Sequence, residues 1–301
     1  MTSSSYLTGN KKLPFDEALY TLEGACLAFY RNQTGITDEA ELKRHLLSVT
    51  ARAYDEYGYA CLRTFMFTQM HVINLPMYQK VLELGRTRTG ALFLDLACGL
   101  GNFVRKVVAD GWPVENVIAS DLNSGLWTYG HELFKSSADS FPAAFVLGDV
   151  FDPALIAAHA PFINKDPGLD SNPTPVELRS LTSLTPLQGR LSAIQTSLFF
   201  HLFTEAEQLI IAQRLASLLA PTPGAVIFGE HTGKPEAGLY PHTLCASVAM
   251  FCHSPASWTA LWDGEVFEKG TVRVECGLDE MYSNGGREEG FSRLWWCVTR
   301  L

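Results

Sequence analysis

The stretch LFLDLACGLGNFVRK, residues 92–106, ends an apolar run at an acidic residue and continues into a glycine-rich turn. Glycines at such a turn let a ligand lie against bare backbone, because they carry no side chain and adopt positive φ values. A dinucleotide-binding loop, G-x-G-x-x-G, needs a third glycine where its helix packs closely on the strand. Gly99 and Gly101 supply two glycines, but Val104 occupies the third position. The branched Val104 side chain argues against a dinucleotide cofactor.

Acidic or small residues recur at every second position of the same stretch, namely Asp95, Ala97, Gly99 and Gly101. This spacing resembles motif I of the class I S-adenosylmethionine-dependent methyltransferases, acidic-x-G-x-G-x-G, with alanine in place of the first glycine. The resemblance implies an α/β fold with a Rossmann-like, seven-stranded sheet and S-adenosylmethionine as the cofactor. It also assigns Cys98, inside the loop, to the cofactor-binding residues.

The ends of two later strands carry residues that match the same family. Asp121 ends the second predicted strand about 20 residues after the glycine loop, where a carboxylate accepts hydrogen bonds from ribose hydroxyls, and Leu122 follows it. Asp149 lies just past the third predicted strand, where the family places a side chain on the adenine amino group, with Val150 alongside. A strand-end aspartate is commonly only a helix cap. Capping alone does not account for all three matches.

The pattern of apolar residues predicts the elements that position these side chains. Residues 1–90 show helical spacing and predict a helical cap or lid. From Leu92 short apolar runs alternate with amphipathic stretches, which predicts a parallel sheet covered by helices. Strands are predicted at residues 92–96, 116–120, 144–147, 191–196, 225–230, 271–276 and 294–299. The methyltransferase domain is assigned to residues 91–301, with insertions at 160–190 and 231–262.

Composition excludes several classes of function. The 301 residues include 23 basic and 32 acidic ones, a formal charge of -9 that argues against binding to the nucleic-acid backbone. No apolar run reaches the ~20 residues that span a bilayer, and the N-terminus lacks the pattern of a signal peptide. We therefore expect a soluble, cytoplasmic protein with no membrane partner. The seven cysteines form no C-x-x-C pair and predict neither a disulfide framework nor a zinc site.

Longer stretches resemble small methyltransferases from fungal secondary-metabolite clusters that make meroterpenoids and polyketides. They include YGYACLRTFMF before motif I, FFHLFTEAEQ after the fourth strand and FCHSPASWTALW near the end. The resemblance implies a small apolar natural product as acceptor, methylated on a carboxylate or hydroxyl oxygen. The alternative is a pericyclase or another enzyme of this fold that binds S-adenosylmethionine without transferring its methyl group. A catalytically silent binding protein is disfavoured by the intact motifs.

Methyl transfer from a sulfonium needs in-line alignment in a dry site, and a base only where the acceptor is a hydroxyl. Histidines near strand ends are the predicted bases: His201 after the fourth strand, His231 after the fifth, and His253 in the C-terminal insertion. The stretch QTSLFFH after the fourth strand carries no acidic residue, which predicts that no metal ion takes part.

The acceptor is expected to lie between the cap and the C-terminal insertion. The predicted substrate-binding residues are Tyr59, Arg63, Phe67, Trp258 and Trp262. Arg105 is a further candidate that could hold a carboxylate. The expected partners are a small-molecule acceptor and, as an open alternative to a monomer, a second copy of the chain in a homodimer.

Overall fold

Helices fill the N-terminal part of the protein. The structure is a computed structural model that describes residues 13–163, 177–242, 245–283 and 286–301. The first α-helices of the described chain are α1 (Gly24–Thr34), α2 (Glu39–Tyr57), α3 (Ala60–Arg63) and α4 (Pro76–Thr87). Short 3-10 turns lie between them, one of them at His71–Asn74. The predicted helical character of this region is therefore present.

Local sequence explains where these helices begin and end. The Asp38 side chain accepts a hydrogen bond from the backbone N–H of Glu41 and caps α2. The same helix stops at Gly58, whose φ of 68° is left-handed and costs glycine little. Pro76 begins α4 at the position where its missing N–H costs no helical hydrogen bond.

Seven strands form one sheet, the number that the family resemblance implies, but the sheet is mixed rather than parallel throughout as the sequence pattern predicted. In chain order the elements are β1 (Leu92–Leu96), α5 (Asn102–Ala109), β2 (Val117–Asp121), α6 (Ser124–Leu133), β3 (Ala144–Leu147), β4 (Leu191–Gln195), α7 (Glu205–Leu218), β5 (Val226–Gly233), β6 (Gly238–His242), β7 (Cys245–Cys252), α8 (Pro255–Trp262), β8 (Val272–Ser283) and β9 (Gly286–Arg300). The order across the sheet is β3-β2-β1-β4-β5-β9-β8. The first five strands in that order pair in parallel, whereas β9 is antiparallel to both of its neighbours.

The insertion at 231–262 contains structure that the sequence pattern did not predict. β6 and β7 form a separate antiparallel hairpin, and α8 follows it. β5 also runs past its predicted end to Gly233. Of the other insertion, residues 164–176 lie outside the described residues, and the rest includes 3-10 turns at Leu178–Ser180 and Thr185–Leu187.

The two faces of the sheet pack against different elements because side chains alternate along each strand. Phe93 and Phe228 point to one face and pack with residues of α4 and α5. Leu94 and Ile227 point to the other face and pack with residues of α7 and α8. We call these the α4 face and the α8 face.

The N-terminal helices pack in two places. α1 and α2 share a third hydrophobic cluster with Leu100, in the loop after β1, and with Leu126 of α6. By contrast α4 packs in the same core as Phe93, and Gly85 of α4 lies directly against the Trp112 ring. A domain boundary at residue 90 would thus separate α4 from the core it belongs to, and the division into cap and catalytic domain stays a prediction.

The described residues contain neither a membrane-spanning helix nor a disulfide bond. Within the ranges given above, no helix combines the length and the apolar composition needed to cross a membrane. The cysteine side chains that are described form no disulfide bonds. The side chain of Cys245 lies outside the described residues.

Candidate active site

The loop between β1 and α5 has a backbone that favours ligand contact. Ala97, Gly99 and Gly101 have φ values of 58°, 54° and 68°. Ala97 adopts this left-handed conformation despite its Cβ, at a cost of about 1 to 2 kcal/mol. A Cβ built on Gly99 would meet no atom within 4 Å. One side of the loop is therefore open backbone, which suits a cofactor lying against it.

Gly101 faces the protein instead. A Cβ there would lie 2.5 Å from the Trp127 ring and 2.6 Å from the Arg105 guanidinium. Arg105 is buried beneath the loop, donates hydrogen bonds to the carbonyls of Leu100 and Gly101, and lies over the Trp127 ring. Burial lowers its pKa to about 10. Arg105 thus supports the loop, and its prediction as a residue that holds a ligand carboxylate is corrected.

Asp121 joins the ends of the first two strands. Its Oδ2 accepts a hydrogen bond of 2.9 Å from the Gly99 N–H, and its Oδ1 accepts one of 2.9 Å from the Asn123 N–H. A carboxylate has about four lone-pair sites, so both oxygens keep capacity for ligand hydroxyls. Burial raises the pKa of Asp121, and these backbone donors oppose the rise. The adjacent Leu122 leaves 47% of its surface exposed, an apolar area next to the carboxylate.

The end of β3 lies beside the same carboxylate. The Gly148 N–H donates to the Asp121 carbonyl at 3.1 Å, which brings the next residues close to the second strand. Asp149 Oδ1 accepts a hydrogen bond of 2.9 Å from the Phe151 N–H, so this side chain also closes a local turn. Val150 is buried behind it. The structure therefore brings the three predicted strand-end sites to one edge of the sheet.

Asp95 lies deeper than the other cofactor candidates. Its side chain is buried, and Oδ2 has no hydrogen-bond partner among the described residues. Burial and the nearby Asp121 raise its pKa well above the usual range, against one hydrogen bond from the Val104 N–H. The buried Cys98 thiol lies near both aspartates, and burial raises its pKa too. An unsatisfied buried oxygen at this position is what a hydrogen-bond donor of a bound cofactor would satisfy.

Two tyrosines of the N-terminal helices contact the cofactor loops, a feature that sequence reasoning missed. Tyr30 Oη donates a hydrogen bond of 2.6 Å to Asn102 Oδ1, at the first residue of α5. Asn123 Nδ2 donates one of 2.8 Å to Tyr59 Oη, just before α6 begins. No local pattern indicates such pairs, because the partners are 72 and 64 residues apart. Tyr59, predicted to bind the acceptor, instead lies beside the cofactor loop.

The remaining predicted acceptor contacts have structural partners. Arg63 Nε donates to the Pro14 carbonyl at 2.8 Å, and Phe67 packs near Phe65 within the N-terminal helices. Trp258 and Trp262 are completely buried on the α8 face. The prediction that these two tryptophans line an open acceptor site is corrected, because neither side chain exposes any surface.

The three predicted histidine bases do come together, around Trp258. The ring of His231 lies 4.6 Å from that of Trp258, the ring of His253 lies 5.1 Å from it, and His201 stacks 6.5 Å from His231. All three histidines are buried on the α8 face. No group of three or more His, Cys, Asp or Glu side chains in the described part of the chain is arranged to hold a metal ion.

His231 lies within β5 rather than after it, and its tautomer excludes a role as base. The Trp296 Nε1–H donates a hydrogen bond of 3.0 Å to His231 Nδ1. Because an indole nitrogen only donates, the proton of neutral His231 must be on Nε2, which is then a donor. Burial and the two neighbouring histidines lower the pKa of His231, which keeps it neutral. The assignment of His231 as a proton acceptor is therefore corrected.

His253 and His201 differ in their surroundings. His253 Nδ1 lies 2.9 Å from Ser257 Oγ, and burial lowers the pKa of this histidine to about 4. His201 lies in the 3-10 turn Phe200–Leu202, directly before α7, with 9% of its surface exposed. An imidazole with a pKa near 4 is a weak proton acceptor, which leaves His201 as the better histidine candidate.

Sequence reasoning also missed Glu230 of β5, which lies two residues past Phe228, the partner of Gln195 at the end of β4. The side chain is buried, and in the part of the chain that the structure describes its Oε2 has no hydrogen-bond partner, while Arg293 Nε lies 3.7 Å away in an ion pair. Burial raises the pKa of Glu230 to about 7, with Asp279 adding to the rise and Arg293 opposing it. The signal was available, since an acidic residue ends the predicted strand AVIFGE.

The chain is similar in sequence to several known methyltransferases. Residues 15–68 match a family model described as the meroterpenoid methyltransferase N-terminal domain. The asnovolin E/chermesin D methyltransferase nvfJ of Aspergillus novofumigatus is 28% identical over 222 residues, 74% of this chain and 69% of the relative. The methyltransferase trt5 of Aspergillus terreus is 27% identical over 252 residues, 84% of this chain and 80% of the relative. The chain is a methyltransferase.

The strand order of the sheet, with antiparallel β9, is that of the class I fold predicted from motif I. The O-methyltransferase phiE of a fungal species is 27% identical over 227 residues, 74% of this methyltransferase and 65% of phiE. A solved magnesium protoporphyrin IX methyltransferase from Synechocystis PCC 6803 covers 97% of this chain and 100% of its own, with a TM-score of 0.42 and 12% identity.

The cofactor of class I methyltransferases is S-adenosylmethionine, as the sequence predicted, and the residues of the site fit it. Gly99 offers open backbone, Asp121 offers carboxylate oxygens to a ribose, and Asp95 holds an unsatisfied oxygen behind the loop. The relatives named above are methyltransferases and give no support to the alternative of a non-methylating enzyme.

Proposed function

We propose that this methyltransferase transfers the methyl group of S-adenosylmethionine to an oxygen atom of a small, apolar natural product of fungal secondary metabolism. The observation that carries this proposal is the position of Asp121, which hydrogen-bonds the glycine loop and lies beside the ends of two neighbouring strands. Oxygen as the methylated atom is supported by the relative phiE, which is named an O-methyltransferase.

The residues of the sheet edge would hold the cofactor in a defined orientation. Asp121 would accept hydrogen bonds from the ribose hydroxyls, while Leu122 and Val150 would contact the adenine together with Asp149. The backbone from Ala97 to Gly101 would lie along the methionine part. When bound, S-adenosylmethionine supplies a methyl group made electrophilic by the sulfonium. The protein then needs to align an acceptor oxygen with that methyl and to exclude water.

The acceptor is proposed to lie over β4 and β5, next to the cofactor along the sheet. Ligands of open α/β sheets bind outside the carboxyl ends of the strands, and these two strands follow β1 on the side away from Asp121. His201 and His253 remain proposed acceptor contacts from the α8 face. Arg63 and Phe67 remain proposed acceptor contacts from the N-terminal helices.

The enzyme is further proposed to work in the cytoplasm on a small molecule. Reduced cysteines agree with that compartment, since the described thiols form no disulfide bonds. The acidic net charge of -9 argues against a nucleic-acid substrate. The expected homodimer gains no support from the described residues.

The test is mass spectrometry of products formed with S-adenosylmethionine whose methyl group carries deuterium. The purified enzyme is incubated with apolar metabolites extracted from fungal cultures, and fragmentation locates the label. The proposal predicts a new product with the deuterated methyl on an oxygen atom. Label on carbon or nitrogen would contradict O-methylation, and an unlabelled rearranged product would instead support a non-methylating enzyme.

A further inference from the structure

Glu230 holds a buried carboxylate oxygen that receives no hydrogen bond from the described residues. The residue exposes 6% of its surface, and Oε2 has no hydrogen-bond partner. The ion pair with Arg293 is long, at 3.7 Å between Nε and Oε2. Leaving a buried acceptor without a partner costs about 1 to 3 kcal/mol, so such an atom requires an explanation.

Strand register places Glu230 on the same face of the sheet as Asp95 of the cofactor site. Asp95 of β1 pairs with Gln195 of β4, and Gln195 pairs with Phe228 of β5. Side chains two residues apart on a strand share a face, so Glu230 points to the α4 face, as Phe228 does. Asp95 and Gln195 lie on that face too. The α4 face therefore carries three buried polar side chains on β1, β4 and β5, and Glu230 lies two residues further along its strand than the partner of Gln195.

Of these three side chains, that of Glu230 is the one placed to meet an acceptor. Asp95 lies behind the glycine loop. Gln195 Nε2 donates a hydrogen bond of 2.7 Å to Ser197 Oγ, which in turn accepts one of 3.3 Å from the Glu230 N–H. These bonds fix the backbone at Glu230 and do not involve its carboxylate. The three histidines lie on the opposite face, so they do not compete for this position.

The charged groups around Glu230 come from three elements. Arg293 of β9 forms the ion pair, Asp279 of β8 pairs with Arg293 in the sheet register, and His71 lies near Arg293 from the segment before α4. Burial and Arg293 lower the pKa of His71 to about 4, so it is neutral. Glu230 has a pKa of about 7 in this setting. A general base works best when its pKa lies near the working pH.

We propose that Glu230 is the general base of the reaction and that the acceptor is a hydroxyl compound, a phenol, enol or alcohol. Glu230 Oε2 takes the hydroxyl proton as the acceptor oxygen forms its bond to the methyl carbon. The carbon–sulfur bond breaks, its electron pair stays on sulfur, and the products are a methyl ether, a neutral thioether and protonated Glu230. The proton then passes to water. This inference rests on the proposed function.

The test compares Glu230→Gln with the wild-type enzyme on two probe acceptors. Methyl salicylate offers a phenolic hydroxyl and no free carboxylate, whereas ortho-methoxybenzoic acid offers a carboxylate and no hydroxyl. Label from deuterated S-adenosylmethionine is measured in each, and calorimetry gives the affinity for the cofactor. The wild type should label methyl salicylate only, and Glu230→Gln should lower that rate by about 100-fold or more with cofactor affinity unchanged. Glu275→Gln, an exposed acidic residue on β8, is the matched control and should leave the rate unchanged.

The pH profile separates a base from a structural residue. The wild-type rate should rise as pH passes about 7, because Glu230 must lose its proton, and this rise should vanish in Glu230→Gln. Asp279→Asn should move the rise to lower pH, since the Asp279 charge raises the pKa of Glu230.

Two outcomes count against the assignment of Glu230, and a third counts against the proposed function. Labelling of the carboxylate probe alone, or an unchanged rate and pH profile in Glu230→Gln, would overturn the role of Glu230 while leaving methyl transfer intact. No label in either probe with the wild-type enzyme would instead count against the proposed function itself.

Discussion

The phenolic oxygen of Tyr59 accepts a hydrogen bond of 2.8 Å from Asn123 Nδ2. The backbone N–H of the same asparagine donates to Asp121. Asn123 thus links Tyr59 of the N-terminal helices to Asp121, the carboxylate expected to bind ribose. Tyr30 makes the corresponding bond to Asn102, next to the glycine loop. The N-terminal helices therefore support both cofactor loops.

Replacing Tyr59 with phenylalanine should weaken the binding of S-adenosylmethionine. The change leaves the Asn123 amide without its partner and loosens the loop that orients Asp121, at a cost of about 1 kcal/mol, or roughly fivefold in affinity. Calorimetric titration of the cofactor measures this loss. Tyr129→Phe is the control, because that hydroxyl bonds to Glu56 at the surface and should not affect the cofactor. A raised acceptor Michaelis constant with unchanged cofactor affinity would return Tyr59 to the acceptor site.

Alanine at Gly99 and at Gly101 should have different effects. Both positions have positive φ, so either substitution strains the loop by about 1 to 2 kcal/mol. At Gly101 the new methyl would also press against Trp127 and Arg105. This overpacking should lower the unfolding free energy by at least about 1 kcal/mol more. Gly99→Ala should stay folded and lose cofactor affinity, because its methyl points into open space. Thermal unfolding measures the stability of both variants, and calorimetry measures their affinity for the cofactor. Full cofactor affinity in Gly99→Ala would show that the ligand lies elsewhere.

Glu230 should make the protein less stable as pH rises. Folding raises its pKa from 4.5 to about 7, so the folded state holds the proton more tightly than the unfolded state. The contribution of this group is full below pH 4.5 and is lost as pH rises through 7, by about 3 kcal/mol at most. Glu230→Gln should remove that loss, which denaturant titrations at low and high pH measure directly. A wild-type and variant pair with parallel pH dependence would contradict a raised pKa at this residue.

Removal of residues 1–90 should unfold the protein. Tyr78 and Val81 of α4 belong to the core that contains Phe93 and Phe103, and taking them away exposes that core. A chain that begins at residue 70 keeps α4 and should retain the sheet, although it loses the Tyr59 contact. Circular dichroism of both shortened chains distinguishes the two cases. A cooperatively folded chain beginning at residue 91 would support the predicted boundary instead.

Local signals in the sequence were sufficient for the sheet. The apolar run 92–96 and the run 144–147 match β1 and β3 in their bounds, because each is bordered by turn residues. The hairpin of β6 and β7 was missed, since it pairs outside the main sheet and its segment shows no clear alternation. The order of the strands across the sheet was not predicted, because the spacing of strands along the chain does not determine it.

Side-chain roles that depend on tertiary contacts could not be predicted. His231 was predicted to be a base because of its place near a strand end, but the indole of Trp296, 65 residues away, fixes its tautomer. Trp258 was predicted to face an acceptor, yet it packs against Phe200 and Trp296 in the core. An aromatic residue at helical spacing fits a core as well as a binding site, and only the packing decides between them.

Calorimetric titration of S-adenosylmethionine into the wild-type enzyme and into Asp121→Ala tests the central claim most directly. The substitution removes the ribose acceptor and two loop hydrogen bonds, and Asp139→Ala at the exposed surface is the control. Binding to the wild type and the control, with an affinity lower by about 1 to 3 kcal/mol in Asp121→Ala, is the predicted result. Equal affinity in Asp121→Ala and the wild type, or no binding to the wild type, would contradict a cofactor site at this edge of the sheet.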